Sequence, residues 1–230
     1  MKPTPSKEYL ESVKQPSVTL KEPKEQLLIL DLNGTLVSIA RRNACMYVRP
    51  FSDLFFDYIF QHFTVMVWSS ARSESVNYMC RIFGSLQSKL ALIWDHSSLG
   101  PSFSEHGRKV VTIKDLEKVW QHFEPGRFDV TNTILLDDSA HKAVLQPFNL
   151  IQPTKFQYHS SSFLSSGECE LMQLLSYLKS LRYQSNVSNY IHSHPYQPIL
   201  NHKDNSFKVL KFILGDDKSS LVDLTQHVDE

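Results

Sequence analysis

Hydrophobic positions along this chain fall into short unbroken runs separated by longer amphipathic stretches. Leu27-Leu28-Ile29-Leu30, Thr64-Val65-Met66-Val67-Trp68 and Asn132-Thr133-Ile134-Leu135-Leu136 are short apolar runs that fit strands buried on both faces. Between them the period changes. Val76, Met79, Cys80 and Phe83 recur at i, i+3, i+4 and i+7, one face of a helix that Gly84 can terminate. In SDLFFDYIFQHF, Ser52 reads as an N-cap and Asp53 favours the positive end of a buried helix. Asp115 caps a helix carrying Leu116, Val119, Trp120 and Phe123, and Glu170 to Tyr183 presents Leu171, Leu174, Leu175, Leu178 and Leu181. Leu90–Trp94 and Lys109–Ile113 read as weaker strands around a loop, SSLGPSFSEHG. Short apolar strands alternating with helices predict an α/β fold, a parallel sheet with helices on both faces.

The flanks look different. Pro3, Pro5, Pro16 and Pro23 among Lys, Glu and Ser predict a flexible N-terminal arm over residues 1–24, with a short helix near Tyr9–Val13 a weak option. The globular domain is expected over 25–185. Residues 186–230 are expected to form a partly ordered extension, mostly irregular beyond about 200 apart from the apolar run Val209–Leu214, with Phe207–Leu214 expected to dock on its own domain rather than on a partner. Charge changes the picture only by exclusion. Lys plus Arg and Asp plus Glu both number 24, which gives no general electrostatic reason for direct binding to nucleic acid. No apolar run approaches the roughly 20 residues of a membrane span, and the N-terminus has no signal-peptide core. Cys45, Cys80 and Cys169 form no paired framework, so free thiols in a cytoplasmic and/or nuclear setting are expected.

Open parallel sheets place their chemistry outside the carboxyl ends of their strands. Here three strands end in Asp31, Ser69 and Asp137. An aspartate at a strand end, just before a Gly-Thr turn, can attack phosphorus and form an aspartyl-phosphate. Phosphoryl transfer otherwise asks the protein to position groups and neutralise oxygen charge. The chain offers Asp137 and Asp138 for a hard cation, Lys114 as an ammonium, and Ser69 with the backbone amides of Asn33 and Gly34 for phosphate oxygens. Mg²⁺ suits a site of a few carboxylates completed by water and phosphate.

Four segments in order, LLILDLNGTL, VMVWSSAR, Lys114-Asp115-Leu116 and ILLDDSAHKAVLQPFN, together with Tyr47-Val48-Arg49-Pro50-Phe51, resemble the haloacid dehalogenase superfamily. The resemblance is strongest to its FCP/SCP-like, NLI-interacting-factor-like branch, which includes RNA polymerase II C-terminal-domain phosphatases. It covers about residues 25–185 and implies a Rossmann-like sheet with a small insertion near 90–112 and no large cap domain. It further implies a Mg²⁺-dependent phosphatase acting on phosphorylated Ser/Thr proteins. In that reading Asp31 is nucleophile and metal ligand, and residue 33 lends its carbonyl to the metal. Ser69 and Lys114 hold the phosphoryl group. Asp138 is the more direct metal ligand, with Asp137 ligating or orienting it.

One position departs from the family pattern. The aspartate that serves as general acid and base is Asn33 here, and an amide has no proton to exchange near neutral pH. The chain therefore reads as a phosphatase weakened by Asn33, with a catalytically silent phosphopeptide-binding or scaffold protein as the alternative. Plainer roles compete at each position. Asp31 could cap a turn, Asp138 could cap the following helix, and Lys114 could be half of a solvated pair. Ser70 is read as the cap of the helix from Arg72 onward. Arg49 could reach the cleft or pair elsewhere.

Overall fold

The computed structural model describes residues 3–40, 45–99, 103–105, 109–160, 163, 169–199, 208–213 and 219–223. Its centre is a five-stranded parallel sheet of β1 (Leu27–Leu30), β4 (Thr64–Trp68), β5 (Leu92–Trp94), β8 (Thr133–Leu136) and β9 (Leu150–Ile151), in the order β5-β4-β1-β8-β9. All four β1 residues are buried, as a central strand covered on both faces requires. Alternation along the strands sorts side chains into two cores. Leu28, Leu30, Val65, Val67, Ile134 and Leu136 meet helices α2 (Ser52–His62) and α5 (Glu170–Leu181) on one face. Leu27, Ile29, Met66, Trp68 and Leu135 meet α4 (Leu116–His122) on the other. The expected α/β architecture is present.

A second sheet lies beside the carboxyl rim. The hairpin β2 (Val37–Ala40) and β3 (Cys45–Val48) is extended by β10 (Lys208–Ile213) and β11 (Ser219–Asp223), in the order β11-β10-β3-β2. The C-terminal stretch read as mostly irregular is thus partly strand. Its run from Lys208 to Ile213 docks on its own domain by pairing β10 antiparallel to β3, with Phe212 buried in the first core, and Leu214 lies outside the described residues. The region around 90–112 supplies β5 to the main sheet and a separate two-stranded ribbon, β6 (Phe103–Glu105) with β7 (Lys109–Val111).

Three local expectations are corrected. Residues 6–20 are docked on the domain, where a flexible arm was expected. Helix α1 (Lys7–Lys14) is capped by Ser6, whose Oγ accepts from the Tyr9 amide at 3.1 Å. The Tyr9 hydroxyl accepts the Phe148 N–H at 2.8 Å, and burial raises its pKa above the ordinary phenol range. Asn186 Nδ2 donates to the Ser12 and Gln15 carbonyls, and Asn189 Nδ2 to Val13, from the start of α6 (Val187–Ser193). Prolines made this stretch look like a linker, but a helix whose last carbonyls find side-chain amide donors at the start of α6 is held. Second, α2 begins at Ser52 itself. Phe51 occupies the cap position at φ +63° with no side-chain cap bond, and its ring packs against the cores. Third, α3 (Ser73–Met79) ends before Gly84, which lies at φ +53° inside a following 3₁₀ stretch.

Candidate active site

Strand register alone assembles the rim. β1 and β8 pair Leu30 with Leu136, so Asp31 and Asp137 stand on the next rung. β4 pairs Val67 with Leu30, which brings Ser69 to the same edge. Lys114 precedes α4, and its backbone N–H donates to the Lys142 carbonyl at 2.8 Å. That bond ties together the two loops that supply the site's ammonium groups.

Asp31, Ser69, Lys114 and Asp137 are all buried. Lys114 Nζ donates to Asp31 Oδ1 at 2.8 Å and to Asp137 Oδ2 at 2.5 Å. Lys142, which the sequence reading passed over, donates to Asp31 Oδ1 at 3.3 Å and to Asp137 Oδ1 and Oδ2 at 3.0 and 3.2 Å. Burial works against its charge, but the Asp31 and Asp137 carboxylates outweigh it and hold the Lys142 pKa above the ordinary lysine value. A signal for it exists in the sequence. Lys142 follows Asp137 by about one helical turn, and the 3₁₀ turn Ala140–Ala143 folds it back over the strand end.

Asp138 is the less buried member of the acidic pair. Its amide donates to Thr35 Oγ1 at 3.1 Å and its Oδ1 accepts from Ser139 Oγ at 2.9 Å. Asp137 Oδ1 also accepts the Ser139 N–H at 2.9 Å. Asp31, Asp137 and Asp138 each offer an oxygen, all within 4.8 Å of one another. Hard, anionic oxygen donors at this spacing fit a hard divalent cation. Both Asp137 oxygens already face ammonium groups, which leaves Asp138 and the Asp31 Oδ2 edge as the more accessible ligands.

Gly34 contributes space where a phosphate contact was expected. Its N–H donates to the Val37 carbonyl at 2.8 Å, so that amide is engaged in the turn that leads from β1 into β2. Its φ is +92°, and a Cβ there would lie 2.7 Å from Asp138 Oδ2. Gly34→Ala is expected to cost about 1–2 kcal/mol from the left-handed backbone alone and to displace Asp138. A thermal melt and a Mg²⁺ titration check both effects. Asn33 is exposed, and its Oδ1 accepts from the Ile39 amide at 3.4 Å. Ser69 Oγ accepts the Ala71 N–H at 3.2 Å. The helix expected to be capped by Ser70 starts at Ser73, with Arg72 at its cap position and no side-chain cap bond.

Arg49 does not reach the cleft. Its buried guanidinium donates to the Thr35 carbonyl at 2.9 Å, the Thr154 carbonyl at 3.0 Å and Glu170 Oε2 at 2.7 Å. Arg49 thereby pins the turn after Asp31 to the start of α5. Beside that turn lies a cavity of about 410 Å³ lined by Asn33, Ile39, Ala71, Glu74, Ser75 and Tyr78, among others. The Tyr78 hydroxyl is buried there and has no hydrogen-bond partner among the described residues.

The sequence profile of the NLI interacting factor-like phosphatases matches residues 26–188. The chain belongs to the NLI interacting factor-like phosphatase family. A relative in Schizosaccharomyces pombe, an uncharacterized FCP1 homology domain-containing protein, is 34% identical over 215 residues, 86% of this chain and 87% of the relative. Among solved structures, Fcp1, described as an essential RNA polymerase II CTD phosphatase, aligns at 13% identity and a TM-score of 0.44, covering 78% of this chain and 58% of its own. A fission yeast Fcp1 variant bound to beryllium fluoride aligns at 11% identity and 0.44, covering 86% and 60%. This chain therefore spans about three fifths of those Fcp1 chains. Asp31, Ser69, Lys114, Asp137 and Asp138, on the rim just described, all fall within the residues that this family's profile matches.

Proposed function

We propose that this protein is a Mg²⁺-dependent phosphoprotein phosphatase, acting on phosphorylated Ser/Thr side chains through an aspartyl-phosphate on Asp31, with turnover lowered by Asn33. The observation that carries the reading is the convergence of Lys114 and Lys142 on Asp31 and Asp137 beside Asp138. An aspartate serving only as a turn cap needs no such cluster.

An Asp31 oxygen attacks phosphorus while the bond from phosphorus to the substrate oxygen breaks, and that oxygen leaves with the bonding pair. Lys114 and Lys142 stand where charge on the transferred group needs neutralising. Asp31 and Asp138, with the residue 33 carbonyl, would hold Mg²⁺, with Asp137 as orienter. Bound there, the ion would supply further charge neutralisation at the phosphoryl oxygens. The departing alkoxide must take its proton from solvent, since the Asn33 amide has none to give. Water then attacks the aspartyl-phosphate, releasing inorganic phosphate and restoring Asp31. The neighbouring groove between β2 and α3 has room for side chains flanking the phosphorylated residue.

Asn33 itself favours the second reading, a phosphopeptide-binding protein without turnover. Hydrolysis of an aryl phosphate in the presence of Mg²⁺ separates the two. Measurable wild-type hydrolysis, lost in Asp31→Asn and on chelation, is the expected result. Silence of the wild type combined with retained binding of a phosphopeptide would favour the binding protein.

A further inference from the structure

Lys142 stands apart in this site. Lys114 already reaches both Asp31 Oδ1 and Asp137 Oδ2. Lys142 duplicates that contact from the opposite loop and covers the remaining Asp137 oxygen, its side chain 9% exposed. Two ammonium groups against Asp31 and Asp137 leave that pair electrically balanced before any ligand arrives. Among the described residues, Asp138 is then the one carboxylate of the three with no ammonium within ion-pair distance. A cation entering the site therefore meets a tethered positive charge within hydrogen-bond distance of two of its three candidate ligands. An entering oxyanion meets the same charge as an attraction.

We propose that Lys142 is a built-in counter-ion that opposes divalent-cation binding and favours the phosphoryl group. It holds Asp31 and Asp137 in the empty site and turns toward a phosphate oxygen when one arrives. The cation and the oxyanion consequently bind cooperatively, because each relieves the charge that the other would leave unbalanced. This inference rests on the phosphoryl-handling reading above. Lys142 is here a positioning and charge-balancing residue, and the chemistry stays with Asp31.

The test measures binding by the full chain and needs no turnover. Mg²⁺ is titrated calorimetrically into wild type, Lys142→Gln and Lys142→Arg, with and without inorganic phosphate. Removing a unit charge a few ångströms from the cation is expected to tighten Mg²⁺ by about tenfold or more. The same change should reduce the gain in Mg²⁺ affinity that phosphate confers, and Lys142→Arg should keep both properties close to wild type. Were Lys142 only a structural prop for the carboxylates, Lys142→Gln would weaken Mg²⁺, and that result overturns the proposal. So does an unchanged affinity.

Should Lys142→Gln fail to fold, the wild-type protein still decides. The ¹⁵Nζ resonance of Lys142, assigned by its loss in Lys142→Arg, must shift on Mg²⁺ addition, and an unmoved resonance removes the idea. Absence of Mg²⁺ binding from every variant would sink the proposed function along with it. Mg²⁺ binding that ignores the substitution would sink this inference alone.

Discussion

Asn33→Asp is expected to raise turnover of a phosphoserine peptide by about 10² to 10⁴, the usual contribution of a positioned general acid and base. The substitution is conservative in shape. Asn33 is exposed, and its side-chain oxygen accepts one hydrogen bond from the Ile39 amide, which a carboxylate oxygen accepts equally well. The fold should therefore be unaffected while a titratable group appears beside the groove. The gain should depend on the leaving group. A serine alkoxide is strongly basic and departs poorly without a proton, whereas a phenolate, with a pKa near 10, departs more readily. Steady-state kcat on both substrates, for both proteins, checks the argument. An equal gain on the two substrates would mean that leaving-group protonation is not what the wild type lacks.

The second large effect concerns stability. Arg49→Met is expected to cost about 3–5 kcal/mol, because it strips the partner from a buried carboxylate. Domains of this kind hold only about 5–15 kcal/mol in total. Glu170 is buried and accepts from Arg49 at 2.7 Å. Its other oxygen accepts the Thr154 N–H at 2.8 Å and the Tyr196 hydroxyl at 3.3 Å. Loss of the guanidinium also frees the Thr35 carbonyl, four residues past Asp31, and so loosens the turn that follows Asp31. Denaturant melts of Arg49→Met and of Arg49→Met with Glu170→Gln test the cause. Neutralising the orphaned carboxylate should recover part of the loss. If the double substitution is as unstable as the single one, packing of the arginine stem accounts for the effect.

The central sheet was legible because buried parallel strands are written as unbroken apolar runs, and β1, β4 and β8 appear almost to the residue. Asp31, Ser69 and Asp137 followed from the rule that chemistry gathers at strand ends. What escaped depended on partners distant in sequence. Lys142 looked like any lysine on a short exposed turn, and only the Lys114 amide bound to its carbonyl shows why it faces inward. Arg49 was undecided because its acidic partner lies 121 residues downstream, at the head of α5. The N-terminal prolines suggested a freedom that the chain lacks, since the amides that hold α1, Asn186 and Asn189, are far downstream. The Gly34 amide was assigned to phosphate by position, yet the Val37 carbonyl at the start of β2 takes it first.

The second sheet has a consequence for how the protein is made. Met46 and Tyr47 of β3 pair with Phe212 and Lys211 of β10, strands that leave the ribosome about 160 residues apart. Until the late strand emerges, the outer edge of β3 presents unpaired N–H and C=O groups, the kind of template on which nascent chains associate wrongly. A protein shortened before β10 would carry that open edge permanently, next to the same turn that holds Asp31.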